Sequence, residues 1–424
     1  MPVQPTVRST GSERPRHLRG ATTSTSSLAH LLHDAREQTD KLFSVVREGF
    51  LYERPIPERH RLIFYLGHVD AFDWNQIGRF HLGARSFHPT FDRLFEAGID
   101  PECGTAATDA PSDWPRLEEV RAYCDKARAR VDELLCHASC EQIHMAIEHR
   151  FMHAETLAYL LHSMPYSQKC APGIGGAPET DGSGPDRVAI PAGEVTLGMN
   201  REDGFGWDNE FDEHRRFVPA FVVDRCKVTN GEYLDFVREG GPVPHFWTWA
   251  EGRRCLRGMF SVIPLPLDWP VYVTHEEATA YAKWKGRKLP TEEQYHRAAY
   301  GSRSGVEHYY PWGDNAPSRI HGNFHYQFWD PIPVNALPAG DSDFRIAQTV
   351  GNGWEWTSSL FGPFDGFRPS ATYPGYSADF FDGQHYVLKG GSPRTARTLL
   401  RRSFRNWFRP NYPYVYATFR CVED

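Results

Sequence analysis

The sequence predicts an α+β protein of two unlike halves, a four-helix bundle followed by a domain of short strands, loops and a few helices. Three observations carry that expectation. Between residues 28 and 163 the apolar residues recur in long runs of helical period. Residues 169–186 are dense in Gly and Pro, the composition of a linker. Beyond them the apolar runs shorten, and Gly, Pro and Trp become frequent.

Composition limits the function classes. A chain of 424 residues has room for about two or three domains. The net charge of −7 offers no electrostatic case for nucleic acid. No apolar run approaches the roughly 18 residues of a membrane span, and the N-terminus has no apolar signal-like core. Neither nucleic acid nor membrane is therefore expected as a partner, and a cytoplasmic protein is. Twenty histidines suit a metal enzyme. Eight cysteines without a Cys-x-x-Cys pair argue against a zinc ribbon or a thioredoxin-type site, so they are expected to be mostly reduced and buried.

Residues 1–25, rich in Ser, Thr, Arg and Pro, have little to bury and read as a disordered arm. The bundle is expected over 26–168. A hydroxyl cap at Ser26 or Ser27 opens a helix with the stripe Leu28, Leu31, Leu32, Ala35, Leu42 and Val46. Pro55 and Pro57 end it. A second helix is expected from Glu58 to Gly78, with His68 among Phe64, Ala71, Phe72 and Trp74. Residues 79–115 read as irregular, and a third helix follows over 117–135. The fourth is expected from Ser139 to Ser163, before Pro165. After the linker the second domain occupies 187–424. Strands are expected at 187–190 and 217–223, and helices at Thr229–Glu239, at Thr274–Lys285 and from the Thr291-Glu292-Glu293-Gln294 cap.

The fourth helix carries Glu148-His149-Arg150-Phe151-Met152-His153-Ala154-Glu155. Histidines four apart share a helix face and can hold one metal ion when a third ligand arrives from elsewhere. Such pairs are also commonly just packed or solvated. His68, inside an apolar helix, is the best-placed third ligand, although a lone histidine there is usually a satisfied core residue. Glu155 follows at a spacing that could orient a ligand or pair with a neighbour. Three neutral imidazoles on one metal leave positions open for O₂ and a soft donor.

The second half resembles the formylglycine-generating-enzyme/sulfatase-modifying fold, an elaborated C-type-lectin-like domain. The residues that carry the resemblance begin with Ile190-Pro191-Ala192-Gly193-Glu194, Lys227-Val228-Thr229-Asn230 and Arg287-Lys288-Leu289-Pro290-Thr291. They continue with Pro311-Trp312-Gly313-Asp314, Gly351-Asn352-Gly353-Trp354-Glu355-Trp356, Gly390-Gly391-Ser392 and Phe419-Arg420. The family usually has glycine where this chain has Thr418. Formylglycine generation itself is disfavoured, because Pro393-Arg394-Thr395-Ala396 stand where that activity needs a cysteine pair for copper.

The first half resembles a DinB-like bundle, through Leu66-Gly67-His68 and the His-x-x-x-His-x-Glu of 149–155. Bundle first and lectin-like domain second is the arrangement of the ergothioneine-type sulfoxide synthases. These are non-haem iron(II) enzymes that use O₂ to join a sulfur donor to carbon 2 of the imidazole of hercynine. The resemblance covers about residues 28–424 and implies Fe(II) on His68, His149 and His153. Ser403-Phe404-Arg405-Asn406-Trp407 matches a family motif whose asparagine and tryptophan meet hercynine. Trp407 suits a quaternary ammonium through cation–π attraction. Tyr373 and Tyr376 lie where the family carries a tyrosine facing the iron. A phenol there could donate a proton to reduced oxygen, and Tyr376 is the preferred candidate.

Three departures bear on the substrates. Met152 replaces a glutamine before the last histidine. Phe408 replaces an aspartate that helps hold γ-glutamylcysteine, and an arginine used for the same donor falls near Tyr412. The pocket is thus altered at Met152, Phe408 and Tyr412, and a different donor is expected. Phe64-Tyr65-Leu66-Gly67-His68 and Phe95-Glu96-Ala97-Gly98-Ile99-Asp100-Pro101 resemble the selenoneine synthase branch, which implies a selenosugar donor. The aromatic tail from Trp407 to Tyr414 is compatible with a sugar. The alternatives are an ergothioneine-type enzyme using cysteine as thiol donor, a non-catalytic ligand-binding protein, and a zinc-dependent thiol transferase.

Overall fold

A computed structural model describes residues 25–96, 108–172 and 186–424. Helix α1 (Thr25–Ser44) buries Leu28, Leu32, Ala35 and Leu42 of the predicted stripe, while Leu31 is half-buried and Val46 is buried beyond the helix end; Ser26 and Ser27 lie inside its first turn rather than at the cap. Helix α2 (Leu62–Asp73) runs on into a π-helical segment, Trp74–His81. It begins four residues later than predicted, because Arg61 is still extended at its N-cap. The stretch read as irregular holds a short helix, α3 (Pro89–Leu94). Pro89 sits in its first turn, and the Phe91 N–H donates to His88 Nδ1 (3.2 Å). Helix α4 (Leu117–Leu134) and helix α5 (Cys140–Ser163) complete the bundle, the latter capped by Ser139.

Most of the predicted arm and linker, and the stretch 97–101, lie outside the described residues. Among the described residues the cysteines are free, but Cys136, Cys140 and Cys170 are exposed, so the expectation that most are buried does not hold.

Helices α2 and α5 decide the architecture. Every residue of α2 except Leu66 is buried. In α5, from Met145 to His162, only Met152 and Thr156 escape full burial. A helix apolar on one stripe can rest on a bundle surface, whereas one covered all round lies between two layers. Here α5 packs against α1 and α2 on one side and is covered by the second domain on the other. One contiguous hydrophobic cluster accordingly runs from Leu28 in α1 to Phe419 near the C-terminus.

The second domain is built from short strands in small sheets, with three helices around them. Strands β1 (Arg187–Ile190) and β2 (Gly193–Leu197) are followed by β3 (His214–Val218) and β4 (Phe221–Asp224). The apolar run predicted as one strand over 217–223 is therefore two, broken at Pro219, which has no N–H for a ladder. Helix α6 (Asn230–Arg238) precedes the meander β5 (Trp247–Ala250), β6 (Arg253–Arg257) and β7 (Val262–Pro264). Helices α7 (His275–Trp284) and α8 (Glu292–Tyr300) start at Thr274 and Thr291, each a reciprocal capping box. Then come β8 (Trp354–Leu360), β9 (Tyr386–Lys389), β10 (Asn406–Phe408), β11 (Ala417–Thr418) and β12 (Val422–Glu423). The largest sheet runs β10-β9-β8-β11, antiparallel except for the parallel β8–β11 pair. Strands β1, β4 and β12 form a second, antiparallel sheet, and β2 pairs with β3.

Three of the sequence motifs close on one buried ion cluster. Arg420 Nε donates to Glu355 Oε2 (2.6 Å), and Lys227 Nζ lies 3.4 Å from Glu355 Oε1. The same ammonium donates to the carbonyls of Gly351 (2.9 Å) and Gly353 (2.6 Å). At Gly353 φ is +123°, and a Cβ would meet Thr418 Cγ2 at 2.9 Å. The threonine that departs from the family pattern thus packs directly against this glycine.

Candidate metal centre

His68 on α2 and His149 and His153 on α5 meet between the two helices. Nε2 of His153 is 3.1 Å from Nε2 of His68 and 3.1 Å from Nε2 of His149. The three are 2%, 2% and 3% exposed, and they form a set whose ligand atoms all lie within 4.8 Å of one another. Burial holds the imidazoles neutral: His68 is lowered to about 4, and His149 and His153 fall well below the usual range.

Local sequence explains the orientation of His68. Its Nδ1 lies 2.6 Å from the carbonyl of Phe95, so Nδ1 carries the proton and Nε2 offers its lone pair. Phe95 can approach only because position 67 is glycine, where a Cβ would lie 2.5 Å from the Phe95 ring. The Leu-Gly-His motif therefore encodes a second-residue support for a ligand. His149 is held by packing, its ring stacked on Phe72 with centroids 3.4 Å apart. The Nδ1 atoms of His149 and His153 are buried without a hydrogen-bond partner among the described residues. Three neutral imidazoles aimed at one point are a donor set that fits a divalent transition metal.

Two aromatic walls flank the triad. On the His149 side stand Phe72 and Tyr373, the latter with its ring centroid 6.3 Å from that of His149. Tyr376 donates its hydroxyl to Met152 Sδ (3.4 Å) and stacks on Trp207 (4.0 Å). Burial pushes the Tyr376 phenol well up, so it keeps its proton. Trp407 meets the Tyr376 ring edge-on (5.4 Å) and stacks on Phe361 (4.2 Å). The backbone N–H of Trp407 donates to the amide oxygen of Asn406 (2.9 Å).

On the His153 side stands Tyr65, 5.8 Å from the His153 ring. Phe408 and Tyr412 stack on each other (5.2 Å). Sequence reasoning finds no base there, but the fold supplies one from the bundle. Arg59, 6% exposed, donates through Nε to the Tyr412 hydroxyl (2.9 Å) and lies over the rings of Tyr412 and Tyr159. The basicity of His153 is lowered by burial first, then by His68 and by the charge of Arg59.

The second domain grips α5 on either side of the two histidines. Glu148 accepts from Trp207 Nε1 (2.8 Å) and from both terminal nitrogens of Arg401 (2.6 and 2.9 Å). Arg401 also donates through Nε to Glu210 (2.7 Å), which accepts in addition from Ser403 Oγ (2.7 Å). Burial, with Glu210 sharing the one guanidinium, pushes the Glu148 carboxyl up to about 7. Glu155 accepts from Ser392 Oγ (2.5 Å), Trp354 Nε1 (2.7 Å) and Thr395 Oγ1 (2.8 Å). It neither orients a histidine nor pairs within the bundle; it docks the bundle onto the Gly-Gly-Ser and Gly-x-Gly-Trp motifs. Positions 148 and 155 are two helical turns apart on one face, a spacing visible in the sequence. Their partners Arg401, Trp207 and Thr395 had no signal beyond residue type.

The sequence matches two family models, the DinB superfamily over residues 31–162 and the sulfatase-modifying factor enzyme 1-like domain over residues 175–424. It is 31% identical over 430 residues to the hercynine oxygenase of Mycolicibacterium thermoresistibile, covering 94% of this chain and 95% of that one. To the hercynine oxygenase of Mycolicibacterium smegmatis it is 33% identical over 371 residues, covering 79% and 84%. To ergothioneine biosynthesis protein 1 of Neurospora crassa it is 28% identical over 486 residues, which is 88% of this chain but 55% of that one. The chain thus spans about half the length of that fungal relative. A bundle bearing three convergent histidines, a sulfatase-modifying-factor-like domain behind it and near full-length similarity to a hercynine oxygenase place this chain in the ergothioneine-type sulfoxide synthase family.

Proposed function

We propose that this protein uses iron(II) on His68, His149 and His153, and O₂, to form a carbon–chalcogen bond at carbon 2 of the imidazole of hercynine. The observation that carries the reading is the convergence of three buried, neutral imidazoles between two aromatic walls drawn from both domains. The stoichiometry balances. A C–H and a chalcogen–H bond are lost and a C–S or C–Se bond forms. The chalcogen takes one oxygen atom as sulfoxide or selenoxide, and the other leaves as water. When bound, iron(II) supplies the one-electron chemistry that O₂ needs to react with closed-shell partners.

The chain's own residues do the rest. Phe95 fixes the His68 tautomer through its carbonyl. Trp407, half-buried with Phe361 behind one face, gives the trimethylammonium an aromatic surface. Asn406 can exchange its bond to the Trp407 N–H for one to the substrate's polar end. Met152 lies between the two α5 histidines and bears on Tyr376. Tyr376, protonated at neutral pH, is the proton donor for reduced oxygen. The aromatic walls keep bulk water from the reacting centre.

For the donor we infer a selenosugar. The stacked Phe408 and Tyr412 offer ring faces to the C–H face of a sugar. One observation favours a second reading, cysteine as donor: Arg59 beside Tyr412 could pair a carboxylate. The test is anaerobic reconstitution with Fe(II), then O₂, hercynine and equal selenosugar, cysteine and γ-glutamylcysteine, read by mass spectrometry. A dominant selenoneine-type product is expected. Dominant cysteine product selects the second reading, and no product from any donor overturns the function.

A further inference from the structure

We propose that Asp92 is a positioning residue for the metal centre, a buried carboxylate that fixes α3 so that the Phe95 carbonyl holds His68 with Nε2 turned to the metal. This rests on the proposed function in taking the three histidines as ligands of one metal.

Asp92 lies on α3 and is wholly buried. Donors from three separate elements converge on it. Tyr123 of α4 donates its hydroxyl to Oδ1 (2.8 Å), and Ser86, ahead of α3, donates to Oδ2 (2.5 Å). The π-helical segment supplies the rest. Trp74 Nε1 donates to Oδ2 (3.4 Å), Arg79 Nε lies 3.5 Å from the same oxygen, and Asn75 Nδ2 donates to the Asp92 carbonyl (3.0 Å). Trp74 and Arg79 are five apart, a spacing that i→i+5 winding brings toward one face. Gly78 makes room for the Trp74 ring, which a Cβ there would strike. Burying a carboxylate is costly unless donors and an opposite charge meet it, and here both do. The metal chemistry makes no direct use of this group.

Phe95 follows three residues on, at the C-cap of α3. Its N–H bonds to the Phe91 carbonyl (3.0 Å), while its own carbonyl, past the helix end, takes Nδ1 of His68 (2.6 Å). Helix α3 has only six residues and is too short to hold its place alone. Its rings pack on the bundle, with Phe91 and Phe95 5.5 and 5.9 Å from Tyr123. Such packing is non-directional and does not set the rotation of the helix. The bonds to Asp92 are directional, and they do. A rotation of α3 would misalign the Phe95 carbonyl, and a hydrogen bond weakens steeply once misaligned. The His68 proton could then sit on Nε2, where it removes the lone pair a metal needs. His149 and His153 have no such support, since their Nδ1 atoms lack a hydrogen-bond partner among the described residues. His68 is thus the ligand that the chain orients by a hydrogen bond, and Asp92 stands behind that bond.

The test uses the metal-free full chain and the variants Asp92→Asn and Tyr123→Phe, the second of which keeps the ring and removes only the hydroxyl. Val131→Ala, a core truncation in α4, is the control for lost stability. Metal affinity is read by anaerobic titration with Co(II), whose visible absorption reports its ligands. The His68 tautomer is read by nitrogen NMR of histidine-labelled, metal-free protein, with the His68 signals identified by their loss in His68→Gln. The parent should carry the His68 proton on Nδ1. Asp92→Asn should weaken Co(II) binding by roughly tenfold or more and move part of the His68 population to the Nε2–H form. Tyr123→Phe should shift both in the same direction by less, and it decides by the same readings if the asparagine variant does not fold. Val131→Ala should unfold at lower denaturant yet keep the parent's affinity and tautomer. Unchanged affinity and tautomer in Asp92→Asn, or an equal loss in Val131→Ala, overturns the proposal. Should the parent bind no Co(II), the metal reading fails, and the tautomer in the metal-free protein judges Asp92 by itself. A shift in Asp92→Asn upholds the role, and an unchanged tautomer overturns it.

Discussion

On the His149 side of the triad the wall is made of rings and Met152, and the guanidinium of Arg401 is bound to Glu148 and Glu210. On the His153 side the guanidinium of Arg59 stands in the wall itself, between Tyr159 and Tyr412. Both sides are rich in aromatic residues, yet the second already holds a guanidinium among its rings. Ring faces alone attract a cation, and a guanidinium seated over them already takes up that attraction. Two sides that differ only in the placement of a charge can sort two substrates and orient each toward one metal.

The comparison presupposes a shared centre, and removing that centre has the largest expected effect. His149→Ala and His153→Ala should each abolish turnover and strongly reduce bound iron, measured by product mass spectrometry and elemental analysis. Full activity in His149→Ala would refute the metal assignment. Next in size, Tyr376→Phe should lower kcat by about a hundredfold or more if its phenol is the proton donor. Tyr373→Phe is the control, expected to leave kcat near that of the parent; the reverse outcome would move the role to Tyr373. Trp407→Ala sharpens the difference between the sides. Losing about 2 kcal/mol of cation–π attraction raises the hercynine KM roughly thirtyfold. The donor KM should stay put, and a rise in donor KM of the same size would mean that the two walls do not sort the substrates.

The smallest effect on chemistry, but a large one on stability, is expected for Arg401→Met. It leaves Glu148 and Glu210 buried without their shared cation, a cost of about 3–5 kcal/mol in urea or guanidinium denaturation. Unchanged stability would show that the clamp on α5 is not needed to hold the domains together. Family membership favours neither the non-catalytic binder nor the zinc transferase, although three histidines by themselves would also accept zinc.

Helix type, caps and the histidine pair are local facts, and the sequence carried them. Thr274 and Thr291 cap α7 and α8 because the hydroxyl and the residue three along suffice to close a capping box. His149 and His153 share a face because the helix repeats every 3.6 residues. Where short-range rules compete, the reading slipped. Pro219 split one predicted strand into two, and α3 is too short for periodicity to reveal it.

The third ligand and the order of motifs were legible as residue types with a family likeness. The carbonyl that sets the His68 tautomer, the docking of Glu155 onto Ser392 and Trp354, and the arrival of Arg59 beside Tyr412 were not. These contacts join residues separated by 27, 237, 199 and 353 positions. No local spacing encodes which side chain will stand opposite another across a packed interface. The sequence by itself determined which groups could bind a metal. Only the tertiary structure decided which wall carries the charge, because potential depends on distance and burial, and both are set by the packing of one domain on the other.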